Sequence, residues 1–251
     1  MKRLIAAVVV ILFVANSVVR AVGDEKANAI IDHAIKAMGG EEKLNASKVI
    51  TWKSQGTLHL DYAGDCTFKK QITTKGIEKY RSELSMVIRS GTYKELTVLA
   101  DQKGWQKVDR NATTEFLPDF LPLERRHTDF RLLPLVVFPL KDKDYKVEAA
   151  GEEKVDNKLA VVLNIKSPDG RESKLYFDKE SGLPVKTVGK LRYEDGMVDH
   201  EMTLADYKDF DGIKRATKIV LKRAGKQVSM EQVTEVKILK EAAPGTFTKP
   251  D

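Results

Sequence analysis

From residue 49 onward apolar and polar residues alternate with a period of two, and glycine-bearing turns break the runs at short intervals. The stretch 175–212 shows this best: D-K-E-S-G, E-D-G and D-F-D-G each separate two alternating runs. Successive side chains of a strand point to opposite faces, so the pattern predicts antiparallel strands joined by tight hairpins. In 49–62, Ile50, Trp52, Leu58, Leu60 and Tyr62 share a face with Ser54 and Gly56. Thr51, Lys53, Gln55, Thr57, His59 and Asp61 take the other face, which predicts a long strand wet on one side. Gly56 in its middle predicts a bulge or bend. Similar runs at 66–73, 78–90, 93–100, 104–108, 160–166, 217–223 and 227–240, with others between them, suggest roughly ten strands, a width at which a sheet curls or closes.

Two segments depart from this period. In 24–38 the apolar residues Ile30, Ile31, Ala34, Ile35 and Met38 recur at helical spacing, with Asp24 placed to cap the start and Gly39-Gly40 to end the helix. A short second turn follows at 41–46. The segment 115–140 holds half of the eight prolines (Pro118, Pro122, Pro134 and Pro139) among Phe116, Phe120, Phe130, Phe138 and many Leu and Val. Proline excludes a central strand and restricts helix to short pieces. The segment is therefore expected as short helices and loops crossing the open side of the sheet. It is either an apolar lid sealing a core or a gate over a cavity. The fold class expected is mainly β (α+β): a large curved antiparallel sheet forming an incomplete β-barrel, with an N-terminal helix and a lid.

Lys2 and Arg3 precede an apolar run from 4 to 15, and small residues follow at Ala21-Val22-Gly23. This is a secretory signal pattern, too short to span a bilayer comfortably, with cleavage after Gly23 or Ala21. The expected organisation is a signal peptide at 1–23 and one domain at 24–251. Removing 1–23 takes away Lys2, Arg3 and Arg20 and lowers the formal net charge from +6 to +3. The remaining charges are interleaved, without the one-sign patch that a nucleic acid needs. Cys66 is the single cysteine, so no intrachain disulfide forms and the core must supply stability. It is read as a small buried or half-buried strand residue.

No catalytic or metal motif stands out. His33, His59, His127 and His200 lack zinc-type spacing and are read as surface residues. Asp178, Glu180, Asp209 and Asp211 lie near glycines but do not follow a calcium-loop pattern, and turn chemistry accounts for them. No metal site, cofactor or catalytic residue is expected. What remains is apolar volume. Trp52, Phe68, Trp105, Phe116, Phe120, Phe130, Leu132, Leu133, Val136 and Phe138 are the candidates for lining one concavity or filling a core.

The order of parts resembles the secreted LolA/LolB-like proteins, a family of outer-membrane lipoprotein-sorting proteins. The resemblance rests on M-G-G followed by E-E-K-L, the Trp-bearing strand, the proline-rich middle, Y-F-D-K-E-S-G-L-P-V-K and D-Y-K-D-F-D-G-I-K. It implies an incomplete barrel plugged by helices around an apolar cavity, and a non-enzymatic periplasmic carrier or sensor of a lipid, a lipoprotein acyl chain or another apolar ligand. The mature chain looks longer than a typical carrier. It also lacks the lipidated N-terminal cysteine of the outer-membrane receptor type, which favours a soluble periplasmic form over a membrane-anchored one, and a monomer is expected. Arg125, Arg126 and Arg131 in the lid stretch stand as candidates for the carriers' functional arginine. The alternative is an envelope interaction module with a solid core, binding a protein or polysaccharide.

Overall fold

The computed structural model describes residues 25–89, 91–193 and 196–251. The signal peptide, its cleavage site and the capping role given to Asp24 lie outside the described residues. Helix α1 covers 25–38 and α2 is Glu41–Ala46. Thirteen antiparallel strands follow, more than the ten or so expected. They are β1 (Val49–Leu60), β2 (Gly64–Lys75), β3 (Lys79–Ile88), β4 (Gly91–Ala100), β5 (Lys103–Val108), β6 (Thr114–Glu115), β7 (Lys146–Val155), β8 (Lys158–Lys166), β9 (Glu172–Asp178), β10 (Pro184–Tyr193), β11 (Gly196–Phe210), β12 (Ile213–Arg223) and β13 (Lys226–Leu239). Between β6 and β7 lie helix α3 (Leu121–Val136) and a 3-10 turn, Phe138–Lys141.

The strands form one open sheet in the order β6-β5-β4-β3-β2-β1-β13-β12-β11-β10-β9-β8-β7. Two meanders, β1–β6 and β7–β13, are thus joined where β1 pairs with β13. This order dictates the place of the lid. The chain leaves the sheet at one edge, β6, and re-enters at the opposite edge, β7. The connection between two edges of a curved sheet crosses its open side, and α3 lies on that path. The sheet is not closed into a barrel, and the architecture is the incomplete barrel expected.

Helix α3 corrects the reading of 115–140 as short pieces. It is a continuous 16-residue helix despite its prolines. Pro122 sits in the first turn, where a backbone N–H has no intrahelical partner to lose. Pro134 falls in the last turn, and the helix ends two residues later. Val137 then takes a left-handed φ of 32° while wholly buried, an unusual conformation for a β-branched residue.

The irregularity expected at Gly56 falls beside it instead: the register of β1 with β13 shifts between Lys53 and Ser54, where Thr234 is the extra residue, while Gly56 keeps regular register on both sides. Gly56 is needed for a close approach, since a Cβ there would collide with the Met230 carbonyl oxygen. The core has two main parts. Ala27, Ile31, Ala34, Ile35 and Met38 of α1 pack on Leu163, Ile165, Leu175 and Phe177 of β8 and β9, together with Leu133 and Val137 from the lid region. Ile50, Trp52 and Ile72 meet Met202, Leu204 and Leu221 under Phe130, Leu132 and Leu135 of α3. Helix α1 therefore fills one half of the concavity, and α3 roofs the other.

Candidate functional site

Under α3 the concavity is not filled. A cavity of about 250 Å³ remains between the helix and strands β1–β3 and β11–β13. From α3 it is lined by Glu124, His127, Thr128, Arg131, Leu132 and Leu135. These positions recur every three or four residues and so form one stripe on one helix face. The sheet supplies Trp52, Leu58, Phe68, Ile72, Tyr80, Leu84, Met202, Ile219 and Leu221, and the ion pair Lys70–Glu231.

The candidates named from sequence divide here. Trp52, Phe68, Leu132 and Arg131 line the cavity. Phe130 and Leu133 lie one helical step round, closing a narrow crevice beside Tyr145 and Leu191. Phe116 packs at the sheet edge, where its ring and Leu121 occupy the space beside Gly104. Trp105 alternates with Gly104 and so takes the opposite face, its Nε1 buried with no partner among the described residues. Phe120 is exposed at the start of α3, Val136 is half-buried, and Phe138 packs on the α1 cluster. None of these last five lines the cavity.

The arginines have separate tasks. Arg125 donates to the carbonyls of Glu78, Asp101 and Lys103, which ties the first turn of α3 to two hairpin ends. Arg126 pairs with Asp169 at 3.2 Å. The arginine that sequence reasoning missed is Arg215 on β12, which is buried, lies 5.3 Å from the Trp52 ring centroid and donates to the Leu135 carbonyl at 2.7 Å. Burial lowers its pKa to about 10, so it stays charged at neutral pH. Its neighbours K-R-A-T-K read as a solvated face, so no local signal marked it.

His200 is a second correction. The sequence predicts a surface histidine there, but it is only 4% exposed. It stacks on Tyr193 at 5.4 Å, meets Phe130 edge-on at 6.0 Å and lies 6.3 Å from His127 of α3. Burial, then the charges of His127, Arg131 and Arg223, hold its pKa down at about 4. His127 places Nε2 3.2 Å from the Arg192 carbonyl, and burial lowers its pKa too. Cys66 is buried on β2, beside Phe68 and Met86.

A separate cleft of about 1120 Å³, largely polar in its side chains, lies along β8–β12, where Lys166, Arg171, Lys174 and Lys222 alternate with Asp169, Glu172 and Glu201. Among the described residues no group of three or more His, Cys, Asp or Glu side chains is placed to hold a metal ion. Among the described residues no helix is long and apolar enough to cross a membrane.

No protein-family model matches the sequence, and no curated protein matches it. Solved structures do. A LolA superfamily protein, NE2245, from Nitrosomonas europaea is 14% identical with a TM-score of 0.56, over 89% of this chain and 97% of that one. A DUF1329 family protein from Desulfovibrio piger is 13% identical with a TM-score of 0.56, over 88% of this chain and 97% of that one. At such identities the likeness shows the fold, which is LolA-like.

Proposed function

We propose that this LolA-like fold serves a periplasmic carrier or sensor that binds a lipid, an acyl chain or another apolar ligand beneath α3, without catalysis. One observation carries the reading: a helical stripe and the concave sheet face enclose a mostly apolar void where a core would otherwise close. Its volume of about 250 Å³ lies just under the ~300–1,000 Å³ common for ligand pockets. Seating a long chain therefore requires α3 to lift or the chain to extend past it. The proline-rich segment is the gate in this account, and Arg215 is its latch. Residues 24–251 act as one working unit after removal of an export signal at 1–23.

The alternative, a module acting through its outer surface, draws on the large cleft along β8–β12 with its many charged side chains. The interior void favours the carrier.

The test is uptake of an uncharged fluorescent lipid by the purified chain, alongside native mass spectrometry of protein taken from its own envelope. Binding that disappears in Leu132→Trp, a change that fills the void, supports the reading. Wild-type protein that is always ligand-free and takes up no lipid sinks it.

A further inference from the structure

The cavity-facing stripe of α3 is graded along its length. Glu124, His127, Thr128 and Arg131 come first, then Leu132 and Leu135. The sheet beneath is apolar except for a belt made by Lys70, Glu231 and Ser229. A ligand in this chamber meets both oil and charge.

The charges are not equally available. Lys70 Nζ and Glu231 Oε2 are 2.6 Å apart, with side chains 13% and 10% exposed. Burial pushes the Glu231 carboxyl up, but the Lys70 ammonium, joined by the Ser54 hydroxyl and more weakly by the charge of Arg131, outweighs it and the net shift is down. A pair this buried is committed to itself, since separating it would strand a charge in a low-dielectric setting. Arg125 and Arg126 are likewise engaged, with hairpin carbonyls and with Asp169. Arg131 differs. It lines the cavity from an exposed position and has neither an ion pair nor a side-chain hydrogen bond among the described residues. Glu124 shares its face. Burial raises the Glu124 carboxyl, and Arg131 only partly opposes that rise.

The apolar side continues beyond the helix. Leu58 and Leu84 line the cavity and also pack against Cys66, Phe68 and Met86, a cluster to which α3 contributes no residue. Leu60, Ile88 and Tyr93 extend this cluster with partly exposed side chains. The apolar face of the sheet thus continues outward from the charged belt past the chamber of about 250 Å³.

We propose that Arg131 receives the anionic head of a single-chain amphiphile, a carboxylate or a phosphate, while its chain lies along the apolar face of Leu58, Phe68 and Leu84. A guanidinium presents a planar fork that pairs with such oxyanions through two hydrogen bonds. When the chamber is empty Arg131 stays hydrated, so leaving it unpaired carries no burial penalty. This inference rests on the chamber being a ligand site and names the class of ligand.

The experiment compares three ligands of one chain length: a fluorescent fatty acid, its methyl ester, and the corresponding monoalkyl phosphate. Each is titrated at about pH 8 into the full chain and into Arg131→Gln and Glu124→Gln. The wild type is expected to prefer an anionic form over the ester by about tenfold, the discrimination of one charge-assisted interaction. Arg131→Gln should erase that preference by weakening both anions toward the affinity of the ester, and Glu124→Gln should strengthen it. The stronger of the two anions identifies the head chemistry. Equal binding of acid, phosphate and ester by the wild type, or an anion preference that survives Arg131→Gln, overturns the inference and leaves the carrier reading standing. Absence of binding by all three overturns both. Among the described residues Arg131 makes no ion pair or side-chain hydrogen bond, so the variant should stay close to the wild-type melting temperature, which verifies the comparison.

Discussion

Arg215 holds its guanidinium 5.3 Å from the ring centroid of Trp52 while donating to the last turn of α3 at Leu135. That helix end carries partial negative charge from its unpaired carbonyls, so a buried cation there is compensated twice, by the backbone and by the indole face. It is a direct link between the floor of the chamber and its roof.

Replacing Arg215 with Leu should remove both contacts and leave the Leu135 carbonyl buried without its donor. The expected loss is about 2–3 kcal/mol, measured by urea denaturation. If Arg215 is the latch, uncharged lipid should also enter the variant faster in stopped-flow. A variant that loses stability with no change in uptake rate would make Arg215 a structural residue only.

Leu132 is 2% exposed and lines the void. Leu132→Ala is expected to lose about 2–5 kcal/mol, because the cavity grows instead of collapsing. The same change should admit bulkier ligands. Calorimetric titration with a branched-chain lipid would show tighter binding in a less stable protein, a combination that ordinary core damage does not produce.

Gly56→Ala should be among the most damaging single-methyl changes. The added Cβ meets the Met230 backbone oxygen, which no rotamer change can move, so β1 or β13 must shift. A melting temperature within a degree or two of wild type would show that the two strands part easily.

Stability should fall on acidification through His200. Its pKa of about 4 lies below the unfolded value of 6.5, so the folded state binds fewer protons. The full contribution is present above about pH 6.5 and is lost as pH falls toward 4, a span worth at most about 3 kcal/mol. His127, Arg131 and Arg223 add to the penalty on its charged form, and Asp199 opposes it. Urea midpoints at about pH 7.5 and 5 should diverge in the wild type and converge in His200→Phe. An unchanged slope would assign the effect to other groups.

Much of the fold was legible because alternation is a local signal. Ile50, Trp52 and Ser54 all turn inward as their period requires, and the α1 stripe of Ile31, Ala34, Ile35 and Met38 is buried throughout. The length of α3 was not legible. Proline chemistry argues against helix on average, while Pro122 and Pro134 fall at the two ends, where the penalty is small. The chamber was legible only in part. Hydrophobicity marks Trp105, Phe116 and Phe138 as well as Trp52 and Phe68, but strand parity and sheet edge decide which of them face the same space. Arg215 and His200 are polar residues in polar-looking runs, and only pairing across strands brings them under α3.

The segment that roofs the chamber is held at both ends, entering from β6 and leaving into β7, the two margins of one sheet. It is strung like a bowstring across a bow. Raising α3 draws on both margins, and flattening the sheet pulls the helix down. The width of the chamber and the curvature of the sheet are therefore mechanically coupled, so a guest that lifts α3 also loads both margins of the sheet.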